Sequence, residues 1–207
     1  MNYGAANNNL VNSDGAQQAG MGSLSDYRAS FDYDSVAKVW LLDSRLEGIM
    51  LASVILNSMA AGIIFIFSNT IMPSLATLDT DVGINIMNKI NIVIVNPAFA
   101  IAFFGGLISA YPARVMWKNP DDFSKPARYY AVATTLVFFF GEVMVTITQN
   151  VPRNNALLAV DPESDDGASY WEIQFLKGWV AWNTARGIFA FISAVFGGLC
   201  LSFMRKP

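Results

Sequence analysis

The chain has 207 residues, 54% of them hydrophobic and only 14% charged, with a net charge of −3 and no histidine. Soluble domains carry about 25% charged residues, so this composition points to a membrane protein. The missing imidazole excludes Ser/His/Asp and Cys/His catalysis, a histidine general base, histidine-ligated haem and imidazole zinc sites.

Cys200 is the single cysteine, which permits neither an internal disulfide nor a CxxC site. The acidic balance argues against nucleic acid as a partner. Residues 1–35, rich in Asn, Gly, Ser, Ala and Asp, predict a disordered tail. Over Val36–Leu46 the pattern Val36, Val39, Trp40 and Leu46 allows either a short interfacial helix or the frayed start of a span. Residues 1–46 thus form a polar tail, and 47–207 a transmembrane domain.

A membrane-crossing helix needs about 20 apolar residues, and four runs qualify: residues 49–67, 92–111, 129–149 and 182–204. The first starts too far from Met1 for an ordinary cleaved signal peptide and reads as an uncleaved anchor. Asn69 and Pro73, Tyr111 and Pro112, Tyr129 and Tyr130, and Trp182 with Arg205 mark the span edges. Between the first two spans, INIMNKINIVI alternates like a strand, but Ile84, Met87 and Ile90 or Asn91 also recur at helical spacing, and adjacency to a span favours helix. The 150–181 loop is acidic around Pro162, then carries an aromatic amphipathic helix through Tyr170, Ile173, Phe175, Leu176, Trp179 and Trp182. The expected fold is therefore an all-α four-transmembrane-helix bundle with a short amphipathic helix in each outer loop.

Arg28, Lys38 and Arg45 precede the first span, Arg114, Lys118, Lys125 and Arg128 lie between the second and third, and Arg205 and Lys206 follow the fourth. The bias puts both termini of this multi-pass protein on the cytoplasm-equivalent side, whichever membrane holds it. Small residues at four-residue spacing, Ala102, Gly106 and Ala110 in the second span and Ala190, Ala194 and Gly198 in the fourth, offer helix contacts; background alanine and glycine is the plainer account.

Ionisable groups inside a span cost about 2.5 to 3.5 kcal/mol and need a partner or a purpose. Glu142 in the third span and Arg186 in the fourth lie at similar depth below the outer side, so the two charges can meet. Glu142, Thr146, Gln149 or Asn150, and Arg153 share one helix face; Trp179, Trp182, Asn183 and Arg186 share another. With Asn57 in the first span and Asn96 in the second, all four helices send polar groups toward one level. That predicts a polar pocket opening outward. The alternative is a buried Glu142–Arg186 ion pair that only fixes bundle register.

GIIFIFSNTIMPSL from Gly62, INIVIVNPAFAIAFF from Ile90, NVPRNNALLAVDP from Asn150, and the spaced W…WNxxR of Trp179, Trp182, Asn183 and Arg186 resemble the anthrone oxygenase-like family of small four-helix membrane proteins. The resemblance runs over residues 49–204. It implies a cofactor-independent oxygenase acting on a flat lipophilic aromatic substrate. A carboxylate base forms the anthrone enolate, whose electron-rich carbon reacts with oxygen without a required metal. Glu142 would be the base, Arg186 with Asn183 or Asn154 would stabilise the enolate oxygen, and Phe67, Trp179 and Trp182 would pack the rings. Asn57, Asn96, Asn150 and Arg153 complete the candidate binding set. Relatives often carry histidine after the WN pair, where this chain has Thr184. Two other readings use the same residues or fewer: a non-enzymatic accessory subunit or lipophile-binding protein, which allows a lipophilic aromatic ligand or a membrane protein complex as partner besides the bilayer; and a channel, disfavoured by the apolar inner halves.

Overall fold

A computed structural model describes the backbone of residues 33–204 and the side chains of 44–204. All regular structure among these residues is helical. Four stretches are long and apolar enough to cross a membrane: Ser44–Leu75, Pro97–Lys118, Lys125–Ala159 and Asp165–Phe203. The protein is an integral, multi-pass membrane protein built as a four-helix bundle. Most of the expected disordered tail, residues 1–32, lies outside the described residues, whereas Tyr33–Ile66 is one helix.

Every span differs from its apolar run, and backbone geometry gives the reason. The first continues past Asn69 and Pro73 because a π-helical turn over Phe67–Ile71 widens the chain just before the proline, which then sits in the first turn of Met72–Leu75. The second starts five residues later than its apolar run. Asn96 adopts extended geometry and its side chain accepts from Phe99 N at 3.0 Å, with Pro97 at the first helical position. It also runs beyond Pro112, since a 3₁₀ segment over Gly105–Ser109 ends just ahead of it and Pro112 falls in the first turn of Ala110–Lys118. The third span begins under the Ser124 cap and passes Pro152 after two π segments, Phe138–Met144 and Thr146–Asn150. The fourth begins at the Ser164 cap, whose side chain accepts from Gly167 N.

At 35 residues the third span is roughly 52 Å long, well over the ~30 Å hydrocarbon core. The third and fourth spans therefore project beyond it. We call the outer end the one carrying the 76–79 and 160–164 connections. There the Thr80–Val93 helix buries Gly83, Ile84 and Met87 against Met72, Leu75, Leu157, Trp171, Phe175 and Trp179. The segment INIMNKINIVI is thus helical. Trp171, Phe175 and Trp179 stack at 5.4 and 5.2 Å, while Ile173 and Trp182 are exposed. This face differs from the one expected for a 3.6-residue period, because the wider turns of the π-helical Tyr170–Trp179 segment keep positions four apart together but rotate Ile173 and Trp182 off the buried side.

Below this cap a polar layer ties the spans together. Asn57 Nδ2 donates to Ser193 Oγ at 2.8 Å, Ser193 Oγ donates to Thr134 O at 2.8 Å, and Ser53 Oγ donates to Gly106 O at 3.0 Å. Gly106 lies so close to the first and third spans that a β-carbon there would collide with Asn57 and Phe138. Of the small-residue stripes, Ala102, Gly106, Ala190 and Ala194 are buried, whereas Ala110 is exposed and Gly198 faces open space. The inner end closes on Leu46, Met50, Met116, Phe123, Cys200 and Met204.

Candidate functional site

Arg186 is the centre of the outer half. It is buried, yet its guanidinium is held by neutral oxygens: Nε and Nη2 donate to Asn183 Oδ1 at 3.0 and 2.6 Å, and Nη1 donates to Thr146 Oγ1 at 2.7 Å. Asn183 can orient this contact because its own Nδ2 is fixed on the first span, donating to Ile64 O at 3.0 Å and Ser68 Oγ at 2.8 Å. Thr146 in turn donates to Glu142 O at 2.8 Å. Phe103 and Trp179 flank the guanidinium with ring centroids 5.8 and 6.0 Å away. A guanidinium has five N–H groups, so two remain for a ligand or a counter-charge.

The Glu142 carboxylate is fully buried and neither oxygen has a hydrogen-bond partner. Thr146 links Glu142 to Arg186, accepting from the guanidinium and donating to the Glu142 backbone carbonyl, but the carboxylate and guanidinium make no direct hydrogen bond. The expected meeting of the two charges is thus corrected to a neighbourhood, because Asn183 and Thr146 take the guanidinium instead.

Beside Arg186 lies a cavity of about 520 Å³ at the outer end. Of the sequence-derived candidates, Phe67, Asn96, Asn150, Asn154, Trp179 and Arg186 line it. Glu142, Asn183, Asn57, Arg153 and Trp182 are off its wall. Glu142 and Asn183 stand behind Arg186. Asn57 belongs to the polar layer of the bundle. Arg153 turns back on its own helix, donating to Gln149 O at 2.7 Å and Gln149 Oε1 at 3.1 Å. Thr184, also off the wall, donates to Val180 O and accepts from Ser68 Oγ.

The remaining wall is Ile63, Ile64, Met87, Asn91, Phe99, Phe103, Phe104 and Thr146 among others, which the list of candidates lacked. Asn91 was within reach of periodicity, since it follows Ile84 and Met87 on one helical face. Phe103 carried no such signal. Four buried polar atoms on this wall have no protein partner: Trp179 Nε1, Asn91 Nδ2, Asn150 Oδ1 and Asn154 Oδ1. The Asn150 amide is oriented by its nitrogen, which donates to Trp179 O at 3.2 Å and leaves the oxygen free. Buried polar atoms are normally paired, so this cluster marks a place prepared for something polar.

Fold and site together define a small multi-pass membrane protein with an aromatic, amide-lined cavity around one arginine. A model of the family described as anthrone oxygenase matches residues 87–196, more than half of the chain, and the chain belongs to that family. No curated protein and no solved structure matches it.

Proposed function

We propose that the protein is a cofactor-independent oxygenase that holds a flat lipophilic aromatic substrate in the outer cavity. The observation that carries this reading is Arg186, fixed by Asn183 and Thr146 with two N–H groups to spare, among Phe67, Phe99, Phe103 and Trp179. Such preorganised donors stabilise an enolate oxygen more than the ketone it forms from, because charge develops where they point. The aromatic walls hold flat rings and keep out water. For an anthrone, loss of a methylene proton gives the enolate, whose carbon combines with dioxygen. The resulting hydroperoxide loses water and leaves a carbonyl, so one dioxygen is consumed and one water released per substrate.

Glu142 is the proton acceptor in this scheme. Its oxygens carry no hydrogen bond, so no ion pair with Arg186 occupies the lone pairs that would take the proton. It is off the cavity wall, one helical turn from Thr146, so one water would carry the proton to it. Asn150, Asn154 and Trp179 orient substrate oxygens. The basic residues 114–128 and the terminal arginines and lysines set both termini on the cytoplasmic side.

The test is oxygen uptake and anthraquinone formation by purified protein supplied with 1,8-dihydroxyanthrone. Arg186→Lys should lower kcat by about 10²- to 10³-fold, as for loss of an oxyanion donor. Glu142→Gln that folds and oxidises the anthrone at the native rate would remove the base role. The displacement of Glu142 from the wall favours a second reading, a lipophile-binding accessory protein without turnover. That reading predicts a retained small molecule in mild detergent and no oxygen uptake.

A further inference from the structure

The second and third spans pack differently at their two ends. Their inner halves, Ala110–Lys118 and Lys125–Val137, lie against each other, whereas Pro97–Phe104 makes few contacts with the third span. Between those two halves lies the 3₁₀ segment Gly105–Ser109, where Gly105 and Gly106 press on Leu56, Asn57 and Phe138. Two helices pinned there and parted above it make a wedge, and the cavity fills the wedge.

The open side of the wedge is apolar. Val95 is 81% exposed, Phe104 49% and Val151 42%, and all three line the cavity, as do the exposed Pro97 and Ala100. Ile92, Val93 and Ile101 continue the same exposed surface beyond the mouth. Asn96 is the polar residue there, and its side chain is occupied by Phe99 N and the Val93 and Ile94 carbonyls. Phe104 lies seven residues into the second span, roughly 10 Å below its start. A mouth with that depth and lining opens toward acyl chains, since an apolar patch of this kind on a spanning helix is in contact with lipid. Residues of the same lining carry polar atoms without a protein partner: Trp179 Nε1 and two Arg186 N–H groups as donors, Asn150 Oδ1 and Asn154 Oδ1 as acceptors.

We propose that the cavity is loaded sideways from the bilayer, between the second and third spans, by a membrane-dissolved amphiphile that enters with its polar head leading. The head carries both a hydroxyl, for Asn150 and Asn154, and an acceptor oxygen, for Trp179 and Arg186. Its apolar remainder rests in the mouth between Val95 and Phe104, where an attached chain can continue into lipid. This rests on the cavity assigned above but needs no turnover.

The experiment compares two non-reacting probes in phosphatidylcholine proteoliposomes at equal mole fraction in the bilayer: 1,8-dihydroxyanthraquinone, and the same molecule with a hexadecyl chain on the ring edge remote from its hydroxyls. Binding is read by quenching of tryptophan fluorescence, with Trp179→Phe as the reference signal. Sideways loading predicts that the two bind within about threefold of each other, because the chain stays in lipid. It also predicts that Ala100→Trp, which narrows the mouth, slows association and dissociation of both several-fold. Exclusion of the hexadecyl probe by about 100-fold while its parent binds would overturn the proposal, since a closed cavity of this size has no room for the chain. So would unchanged exchange rates in Ala100→Trp, or failure of both probes to bind. Binding of the hexadecyl probe by a protein that oxidises no anthrone would leave the portal standing and remove only the oxygenase reading.

Discussion

Arg186 is anchored by amide and hydroxyl oxygens, and this sets what its neighbours can tolerate. Asn183 makes contacts in two directions, to the guanidinium and to the first span, so Asn183→Ala should cost about 1.5 to 3 kcal/mol in chemical unfolding in detergent. Glu142 is the sharper case. A carboxylate in a true buried ion pair costs about 3 to 5 kcal/mol when its charge is removed, whereas one without hydrogen bonds gives up only a desolvated charge. Glu142→Gln is therefore expected to leave stability unchanged or raise it, and a loss of the larger size would show that the pair closes. Depth along the helices put Glu142 and Arg186 at one level from sequence alone. Which atom the guanidinium chooses was not legible there, because Asn183 and Thr146 compete from different helices.

At the scale of elements, the non-α turns decide which faces meet. Every span contains a π or 3₁₀ segment, and each of the first three has one just ahead of a proline. The 3₁₀ segment Gly105–Ser109 lies hard against the first and third spans, so Gly106→Leu should destabilise the bundle by about 1 to 3 kcal/mol, read by thermal unfolding. The deeper polar layer is less demanding. Hydrogen bonds between membrane helices average about 0.6 kcal/mol, so Ser193→Ala should cost about that much and not exceed about 1.7 kcal/mol. The apolar runs located the four spans but ended the first three early, since Pro73, Pro112 and Pro152 read as breaks where the backbone passes through.

For the whole molecule, the outer end is where spans, connecting helix and cavity come together. The orientation inferred from basic residues predicts opposite labelling of the two ends. In a Cys200→Ala background, Glu163→Cys should react with a membrane-impermeant maleimide added outside intact cells, and Asn119→Cys should react only after permeabilisation. Both residues are exposed in the structure. The reverse pattern would invert the assignment of sides while leaving the bundle intact.

Composition and run length were enough to determine an all-helical, four-span membrane protein, because the cost of unpaired backbone in lipid leaves a chain this apolar few alternatives. The four motifs from Gly62 to Arg186 together carried the resemblance to the family. The tertiary structure decided that Phe67, Asn96, Asn150, Asn154, Trp179 and Arg186 share a cavity with Asn91 and Phe103, while Asn57, Arg153 and Trp182 do not. The reason is rotational. Each residue advances a helix by about 100°, so a single widened or tightened turn re-aims every side chain beyond it, and hydropathy summed along the chain carries no record of that angle.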